Sequence, residues 1–561
     1  MLDRGLHAWY LFAMFVRTKE KPNGKISVQI VESHRKADKV SQKIIRHVGQ
    51  AVTDMEVQEL KKLAQKIIVE MKNQRSPVLP IFAPEDIYGD HSRAEAIDDK
   101  VDMAKLREEQ RIIEGIGDVF GKIYEDLGLS KALGDTKKDS SWNEILKACV
   151  LARIANPVSK YRTASMLEED YGVRIALEKI YRMMDRLVEQ ESHIRQMITS
   201  STLELFGSKL DVAFFDVTTL YFESVDEDEL RAFGFSKDCK FKETQVVLAL
   251  VTTTDGLPVT YRLFPGNIYE GHTLISMIEE IKKVHEVRNV LLVADRAMFS
   301  NQNLEAMERE GIKYIVASRL KRLPNKLKQE ILEPDGYAAT AIEDELHWVK
   351  EFSHDQRRLV VSYSSKRAKK DSADRLRLIE RLLKKVKDGK VKIKDIIPNY
   401  GTKKYLSLRD KEAFIDESKM EKDALWDGMH GVLTNADDLS LNEIISRYRG
   451  LWSIEESFRI SKHDLKMRPI YHWTPERISG HILICFIAYA LVRQAMYRVR
   501  IQYEPMSFEK MRNELLHTQA SILLDTATNR KYILPSKTTP VQKRLYHIFG
   551  LKRSEVPRRM T

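Results

Sequence analysis

The order of apolar and polar positions divides the chain into regions of different secondary structure. Near the amino terminus, apolar residues at 9–16 and 26–30 flank a Pro-Asn-Gly turn, which predicts a β-hairpin. A helical pattern and a proline-rich, acidic linker follow, so we predict an amino-terminal module over residues 1–99. From 100 to 207 the apolar spacing is helical, which predicts an all-helical region there.

Two short, very apolar runs later in the chain each end at an aspartate. Residues 212–215 precede Asp216, and residues 290–294 precede Asp295. Runs of this kind are typical of central strands in a covered sheet, so the two carboxylates are expected to lie side by side at one edge. Carboxylates that close repel each other, and a hard cation such as Mg²⁺, which prefers oxygen ligands, resolves the repulsion.

The pattern around these strands predicts an interrupted α/β core. A hairpin around Asp255-Gly256, followed by alternating helices and strands, gives a first part at 208–318. A strand at 429–434 and the helix after it give a second part at 426–500. The separation of Asp295 and the acidic helix is too long for one connection, which predicts an inserted subdomain at 319–425. Residues 501–561 form a basic carboxy-terminal tail.

A third carboxylate, Glu455, lies within that predicted helix. Ser440 and Glu443 have the form of a capping box, so the helix is expected to begin there and to continue to about residue 464. Tyr448, Glu455 and Lys462 are spaced seven residues apart (455 − 448 = 7; 462 − 455 = 7), which is close to two helical turns. One helix face would therefore present a phenol, a carboxylate and an ammonium group.

These residues resemble the DDE transposases of bacterial insertion sequences, in the branch whose third motif is Tyr-x2-Arg-x3-Glu-x6-Lys. Leu451 occupies the position of the motif arginine, and Arg449 or Arg459 is a candidate to replace its phosphate contact. Four further segments are similar to the same family: GFSKD at 234–238, FPGN at 264–267, ADR at 294–296 and RPIYHW at 468–473. The resemblance covers about residues 205–495.

The resemblance implies an RNase H-like catalytic core and a metal-dependent reaction on DNA. Asp216, Asp295 and Glu455 would hold two Mg²⁺ or Mn²⁺ ions that promote strand cleavage and strand transfer. Contacts to DNA phosphates would come from Tyr448, Lys462, Arg459 and Arg296. The partners implied are the terminal inverted repeats of the element, target DNA and a second copy of the chain, in the bacterial cytoplasm.

Composition agrees with a nucleic-acid partner. The net charge is +11 and the pI is near 9.1. Residues 366–394 hold thirteen Lys and Arg against four Asp and Glu, 13 − 4 = +9, which favours contact with a DNA backbone. Helices predicted at 142–154 and 159–169 resemble a helix-turn-helix, although such helix pairs are common. The basic residues that this pair and the following helix would bring to phosphates are Lys160, Arg162, Lys179 and Arg182.

Two other features of the composition exclude classes of protein. The three cysteines are widely spaced, which argues against a zinc site or a disulfide framework. The best apolar segment, residues 482–492, is too short for a bilayer, so no membrane partner is expected.

Alternatives remain for the residues and for the function. A strand-ending aspartate is commonly a turn residue, Glu455 could pair with Arg459, and Tyr448 and Trp452 could be core aromatics. Glu456 is the better partner for Arg459. The chain could be a DNA-binding regulator or an inactive transposase relic, or a metal-dependent nuclease without strand transfer. Hydrolysis of a sugar by paired acids fits the basic charge less well.

Overall fold

The computed structural model describes most of the chain and divides it into two units. The described residues are 13–21, 26–36, 39–51, 57, 60, 61, 64, 68, 101–205, 212–223, 226–234, 242–268, 273, 274, 276, 277, 291–294, 301–342, 345–383, 404–409 and 412–560. Residues Met1–Arg93 with Gly172–Arg174 form the first unit, and the rest of the chain forms the second.

The first unit contains an antiparallel sheet of three described strands in the order β1-β2-β3. These are β1 (Ala13–Glu20), β2 (Ile26–Lys36) and β3 (Lys39–Ala51). The pairing of Glu20 with Ile26 confirms the predicted hairpin, whereas its turn at 22–24 lies outside the described residues. Val28 and Ile30 pack on Ala64 and Ile68 to form a small core. The pattern did not predict β3.

The second unit is built on one large mixed sheet. Nine described strands follow the order β10-β11-β12-β15-β9-β8-β5-β6-β7, and only the pairs β5–β8 and β8–β9 are parallel. The strands before residue 320 are β5 (Val212–Tyr221), β6 (Gln245–Thr252), β7 (Pro258–Pro265), β8 (Leu291–Ala294) and β9 (Lys313–Ala317). The later ones are β10 (Ala338–Ile342), β11 (Glu345–His354), β12 (Arg357–Ser364) and β15 (Met429–Thr434).

The strands of the predicted insertion extend this sheet. β12 pairs with β15, so β10, β11 and β12 continue the hydrogen-bonded ladder beyond the first part of the core. The remaining described elements of the segment are mainly helical, with a short hairpin of β13 (Leu406–Arg409) and β14 (Glu412–Ile415). The segment is mixed, as its pattern indicates, while the predicted domain boundaries stay predictions.

Fourteen α-helices are described along the chain. The helical region holds α1 (Gly115–Asp126), α2 (Lys137–Ala155), α3 (Lys160–Tyr171), α4 (Leu177–Glu189) and α5 (Glu191–Glu204). The sheet region holds α6 (Asn301–Arg309), α7 (Asn325–Leu332), α8 (Ser365–Leu383), α9 (Glu417–Ala424), α10 (Leu441–Arg449) and α11 (Trp452–Arg459). The last three are α12 (Pro475–Gln502), α13 (Phe508–Leu516) and α14 (Pro540–Ile548).

The basic tail is folded onto the beginning of the helical region. β16 (Gln519–Asp525) and β17 (Arg530–Pro535) form a hairpin, and β16 also pairs with β4 (Leu106–Ile113). β18 (Arg558–Arg559) completes this sheet. The region after residue 100 is therefore not all-helical, because β4 is a strand. Its side chains are mostly exposed and many are charged, so the sequence does not show the apolar alternation typical of a strand.

Helix α12 is the one described helix long and apolar enough to cross a membrane, and in that window 83% of the residues are buried inside the protein. It packs against α1, α2 and α4. An apolar helix that is covered on all sides is typical of a protein core. The sequence analysis underestimated its length because Arg493 appeared to end the apolar run.

Candidate active site

Asp216 lies in the middle of β5, not at its end as the sequence pattern suggested. The strand continues to Tyr221, and Asp216 is its first half-buried position after four buried ones. Asp216 pairs with Leu250 of β6, while the ladder with the parallel strand β8 stops at the pair Phe215–Ala294. The carboxylate thus belongs to the first residue of β5 beyond the described end of β8. Its Oδ1 accepts a hydrogen bond of 2.7 Å from the N–H of Val217.

The second predicted carboxylate follows directly on β8 in the sequence. β8 ends at Ala294, and both Asp295 and Arg296 lie outside the described residues. β8 itself is fully buried between β5 and β9, in agreement with the prediction of a central covered strand. The roles of Asp295 and Arg296 stay predictions.

Glu455 is exposed in the first turn of α11, and this helix packs against β5. The approach is close at Gly450, where an added Cβ would lie 2.7 Å from Cζ of the buried Phe214. Glycine therefore lets the chain before α11 approach the strand that holds Asp216. Glu455 makes no hydrogen bond or ion pair with any residue that the structure describes.

The long helix predicted from Ser440 to about residue 464 is divided into three helical segments. It begins as expected, because Ser440 and Glu443 form a complete capping box at the start of α10. After Arg449 the backbone tightens, with hydrogen bonds from the N–H of Leu451 to Tyr448 and from the N–H of Ser453 to Gly450. Past α11 it widens into a π-helix at Ile460–Asp464. The spacing of seven residues therefore does not translate into one regular helix face.

Tyr448 lines an open cavity of about 890 Å³ next to the large sheet. Its ring packs against His430 of β15, with ring centroids 4.8 Å apart and the ring planes tilted by 38°. Basic residues on the same cavity wall include Arg319, Arg322 and Arg367. The sequence analysis missed His430, because nothing in the sequence links β15 to a tyrosine on the following helix.

The basic residues of the third motif have local partners. Arg459 pairs with Asp464, with Nη1 and Oδ2 3.3 Å apart, and more weakly with Glu456. Arg449 contacts Glu345 and His347 of β11 at 3.1 and 2.9 Å. Lys462, in the π-helix, has its Nζ 6.0 Å from the ring centre of Phe458. Leu451, which replaces the motif arginine, is buried.

A network around Arg493 holds α11 in place. Arg493 of α12 donates to Oε2 of Glu456 at 2.7 Å and to the carbonyl of Gly256, in the β6–β7 turn, at 3.0 Å. Glu456 is thus the structural neighbour of Glu455, and its pairing with Arg459 confirms it as the better partner of that arginine. The predicted hairpin around Asp255-Gly256 is also confirmed.

Exposed aromatic rings surround this region. Trp452 is 62% exposed, so it is not the core residue that its spacing allowed. The RPIYHW segment lies at the end of β5, where Ile470 bridges to Phe222 and Arg468 lies over the ring of Tyr221. In the same segment, Tyr471 and Trp473 are 57% and 63% exposed. Burial and the nearby Glu223 raise the pKa of Tyr471, so its phenol stays neutral near pH 7.

The oxygen donors of the site suit a hard divalent cation. Asp216 and Glu455 offer carboxylate oxygens, which are the ligands that Mg²⁺ and Mn²⁺ prefer. Within the described part of the chain, no group of three metal-binding side chains is found. The third predicted ligand, Asp295, is not in that part.

Comparison with known proteins identifies the family. Residues 207–491 match the model of the transposase DDE domain, and these 491 − 207 + 1 = 285 residues are more than half of the 561 in the chain. The chain therefore belongs to the transposase DDE domain family. No curated protein matches the sequence significantly.

Two solved structures are similar over part of the fold. A piggyBac transposase synaptic complex with hairpin DNA shares 9% identity, with a TM-score of 0.38 over 72% of this chain and 77% of that one. A Mos1 transposase paired-end complex shares 12% identity, with a TM-score of 0.14 over 30% of this chain and 57% of that one. The family assignment rests on the domain match and not on these structures.

Proposed function

We propose that this transposase cleaves DNA strands at the ends of a bacterial insertion sequence and joins them to target DNA. The observation that supports it most directly is the packing of the Glu455 helix against the Asp216 strand, inside the region that matches the family. Sequence-distant carboxylates on touching elements are what a metal-assisted phosphoryl transfer requires.

Asp216, Asp295 and Glu455 would together hold two Mg²⁺ or Mn²⁺ ions. When bound, such ions activate the attacking hydroxyl and stabilise the departing oxygen of the scissile phosphate. The half-buried position of Asp216 limits its motion, since its Oδ1 is held by the N–H of Val217. Glu455, exposed at the beginning of α11, can turn towards a ligand without breaking a described contact.

The remaining motif residues would position the DNA. Tyr448 lines the cavity that also holds Arg319, Arg322 and Arg367. Lys462 and Arg459 follow Glu455 on the next turns, and Arg296 follows Asp295 in the sequence. A cleaved 3′ end needs its phosphates neutralised close to the metal ions, which favours cations at these positions. We further propose that the core is RNase H-like. A homodimer would hold the two element ends, because both ends would be cut in one complex.

Cleavage of a labelled duplex with the element's own terminal repeats tests the proposal. Wild type should cut at the element boundary with Mg²⁺ or Mn²⁺ and not with EDTA. Asp216→Ala and Glu455→Gln should each reduce cleavage by at least about a thousandfold, the scale seen when charge stabilisation of a transition state is lost. The matched control is Glu178→Gln, since Glu178 is another exposed glutamate in the first turn of a helix.

The same assay separates the rival functions. Cutting at the element boundary without any joined product would indicate a metal-dependent nuclease that does not transfer strands. Tight binding of the repeats without cutting under either metal would indicate a regulator or inactive relic, an alternative that the buried Leu451 at the motif arginine position favours.

A further inference from the structure

Two buried cations in the helical region have no counter-ion among the residues that the structure describes. Arg153, in the last turn of α2, is 5% exposed, and Lys160, the first residue of α3, is 4% exposed. Neither side chain forms a hydrogen bond or an ion pair with a residue that the structure describes. The helix-turn-helix pattern predicts that Lys160 meets a DNA phosphate, and the structure buries this side chain instead of exposing it on the surface.

The neighbouring polar groups are neutral or positive. His472 of the RPIYHW segment and His481 of α12 lie with their ring centroids 5.3 Å apart. Burial, and after it the positive charges of Lys160, Arg153 and Arg477, lower the pKa of His472 to about 3. We call Arg153, Lys160, His472 and His481 the cation cluster.

A metal ion does not fit this cluster. Cys485 lies beside His481, with Sγ and Nε2 3.8 Å apart, and Cys149 is on the facing helix α2. Nevertheless no metal-binding group of three is found among the described residues. The field of two cations opposes a further positive charge, and burial raises the pKa of both thiols, which keeps them protonated.

An anion would supply the counter-charge that the two cations of the cluster lack among the described residues. A buried charge without a partner is costly, and two adjacent ones add mutual repulsion. Nε2 of His481 lies 3.1 Å from the carbonyl oxygen of Met467 and donates to it, so the fully buried Nδ1 is an acceptor without a described partner, which the O–H of inorganic phosphate can supply with a donor. His472 is only half-buried and is followed by the exposed Trp473, so the cluster is nearest to solvent at that edge.

We propose that the cation cluster is a binding site for a phosphate oxyanion, outside the candidate active site. Arg153 and Lys160 supply charged donors, and an imidazole can add a further donor. The oxyanion is either free inorganic phosphate or a backbone phosphate of bound DNA, because both present the same oxygen atoms. The site does not depend on the carboxylates proposed for catalysis.

Binding of inorganic phosphate to the full chain is the first test. Phosphate, compared with chloride at equal ionic strength, should raise the melting temperature in a saturable way. Lys160→Met should weaken phosphate binding by about tenfold to a hundredfold, the value of one charge-assisted hydrogen bond. Arg153→Met gives an independent second variant. In wild type, phosphate should also raise the pKa of His472, followed by NMR.

Lys147→Met is the matched control. Lys147 is equally buried on the same helix α2, but its Nζ is paired with Oε1 of Glu125 at 2.8 Å. This variant should lose stability and keep the full response to phosphate. An identical phosphate response in wild type, Lys160→Met and Arg153→Met would overturn free phosphate as the ligand.

Duplex DNA distinguishes the second source. If backbone phosphate is the ligand, Lys160→Met should weaken duplex binding and reduce its salt dependence by about one counter-ion, while Lys147→Met leaves both unchanged. Binding can be measured with Asp216→Ala present, so this result stays independent of cleavage. Unchanged binding of both phosphate and duplex in the two cluster variants would refute the proposal.

Discussion

Two buried arginines, Arg493 and Arg153, differ in the number of hydrogen-bond partners that the described residues give them. Arg493 of α12 has a side chain 6% exposed, and it bonds to Glu456 and to carbonyl oxygens of the β6–β7 turn. Arg153 of α2 is 5% exposed and has no such partner in the described part of the chain. The two arginines are equally buried, so they differ in the polar groups that the described residues place around them.

This difference in partners distinguishes a structural charge, Arg493, from the charges of the proposed phosphate site. A buried cation repays its desolvation only with good geometry and additional hydrogen bonds, which Arg493 has. Its bonds join α12, α11 and the β6–β7 hairpin, and they support the helix that holds Glu455. Arg153 and Lys160 are equally desolvated, and no described residue forms a hydrogen bond or an ion pair with their side chains.

Arg493→Met should have the largest effect on stability. It would remove the donor to Oε2 of Glu456 and one of the two donors to the carbonyl of Gly256, which keeps the hydroxyl of Tyr489, and a broken buried pair costs about 3–5 kcal/mol. Urea denaturation should report that loss. Arg500→Met is the control on the same helix, because Arg500 is 45% exposed and pairs with Asp255 at the surface, so it should cost at most about 1 kcal/mol. Equal losses of unfolding free energy in the two variants would mean that the buried ion pair of Arg493 contributes no more than the surface pair of Arg500.

Gly256→Ala should have the second largest effect. Gly256 has a φ of +72°, and an added Cβ would lie 1.8 Å from Nη2 of Arg493. Backbone strain and displacement of the guanidinium together should cost about 2–3 kcal/mol. Gly311→Ala is the matched control, since Gly311 has a φ of +67° with nothing within 4 Å of the added Cβ, and it should show the strain of about 1 kcal/mol alone.

A double-mutant cycle tests whether the stability lost in Gly256→Ala comes from displacement of the Arg493 guanidinium. In the Arg493→Met background, Gly256→Ala should cost only the strain seen at Gly311, because the displaced guanidinium is no longer there. Additive losses would mean that the turn and the arginine are independent, and the proposed support of α11 would then fail.

Local patterns predicted the elements that depend on neighbouring residues. The capping box at Ser440, the Asp255-Gly256 hairpin and the covered strands β5 and β8 are confirmed because short-range periodicity and turn chemistry determine them. The candidate carboxylates could be chosen from the same local signals. Their elements then meet through the contact of α11 with β5.

Features that depend on tertiary contacts could not be predicted. The length of β5 beyond Asp216 follows from its pairing with β6, and the break after Arg449 follows from the approach of Gly450 to Phe214. The helix-turn-helix pattern places Lys160 at a phosphate, because a local pattern does not show what covers the start of a helix. Its helix α3 packs against α2, α4 and β4.

The pH dependence of stability gives the smallest and most specific test of the comparison. Burial, followed by the charge of Arg153, lowers the pKa of Lys160 to about 8 from its ordinary value of 10.5. Between these values the unfolded chain binds more protons than the folded one, so stability rises with pH. Below pH 8 the destabilising charge is fully present, and we expect a gain of about 1 kcal/mol from pH 8 to pH 9.

Lys160→Met should remove that gain, and Lys147→Met should keep it, because Lys147 has its own carboxylate. The measurement stops at pH 9, since burial raises the pKa of Cys149 from 9.0 to about 11 and its unfolded-state ionisation then opposes the lysine. Saturating phosphate should flatten the wild-type slope by holding Lys160 charged in the folded state. A slope that is the same in wild type and Lys160→Met would mean that Lys160 is already satisfied, and the contrast with Arg493 would disappear.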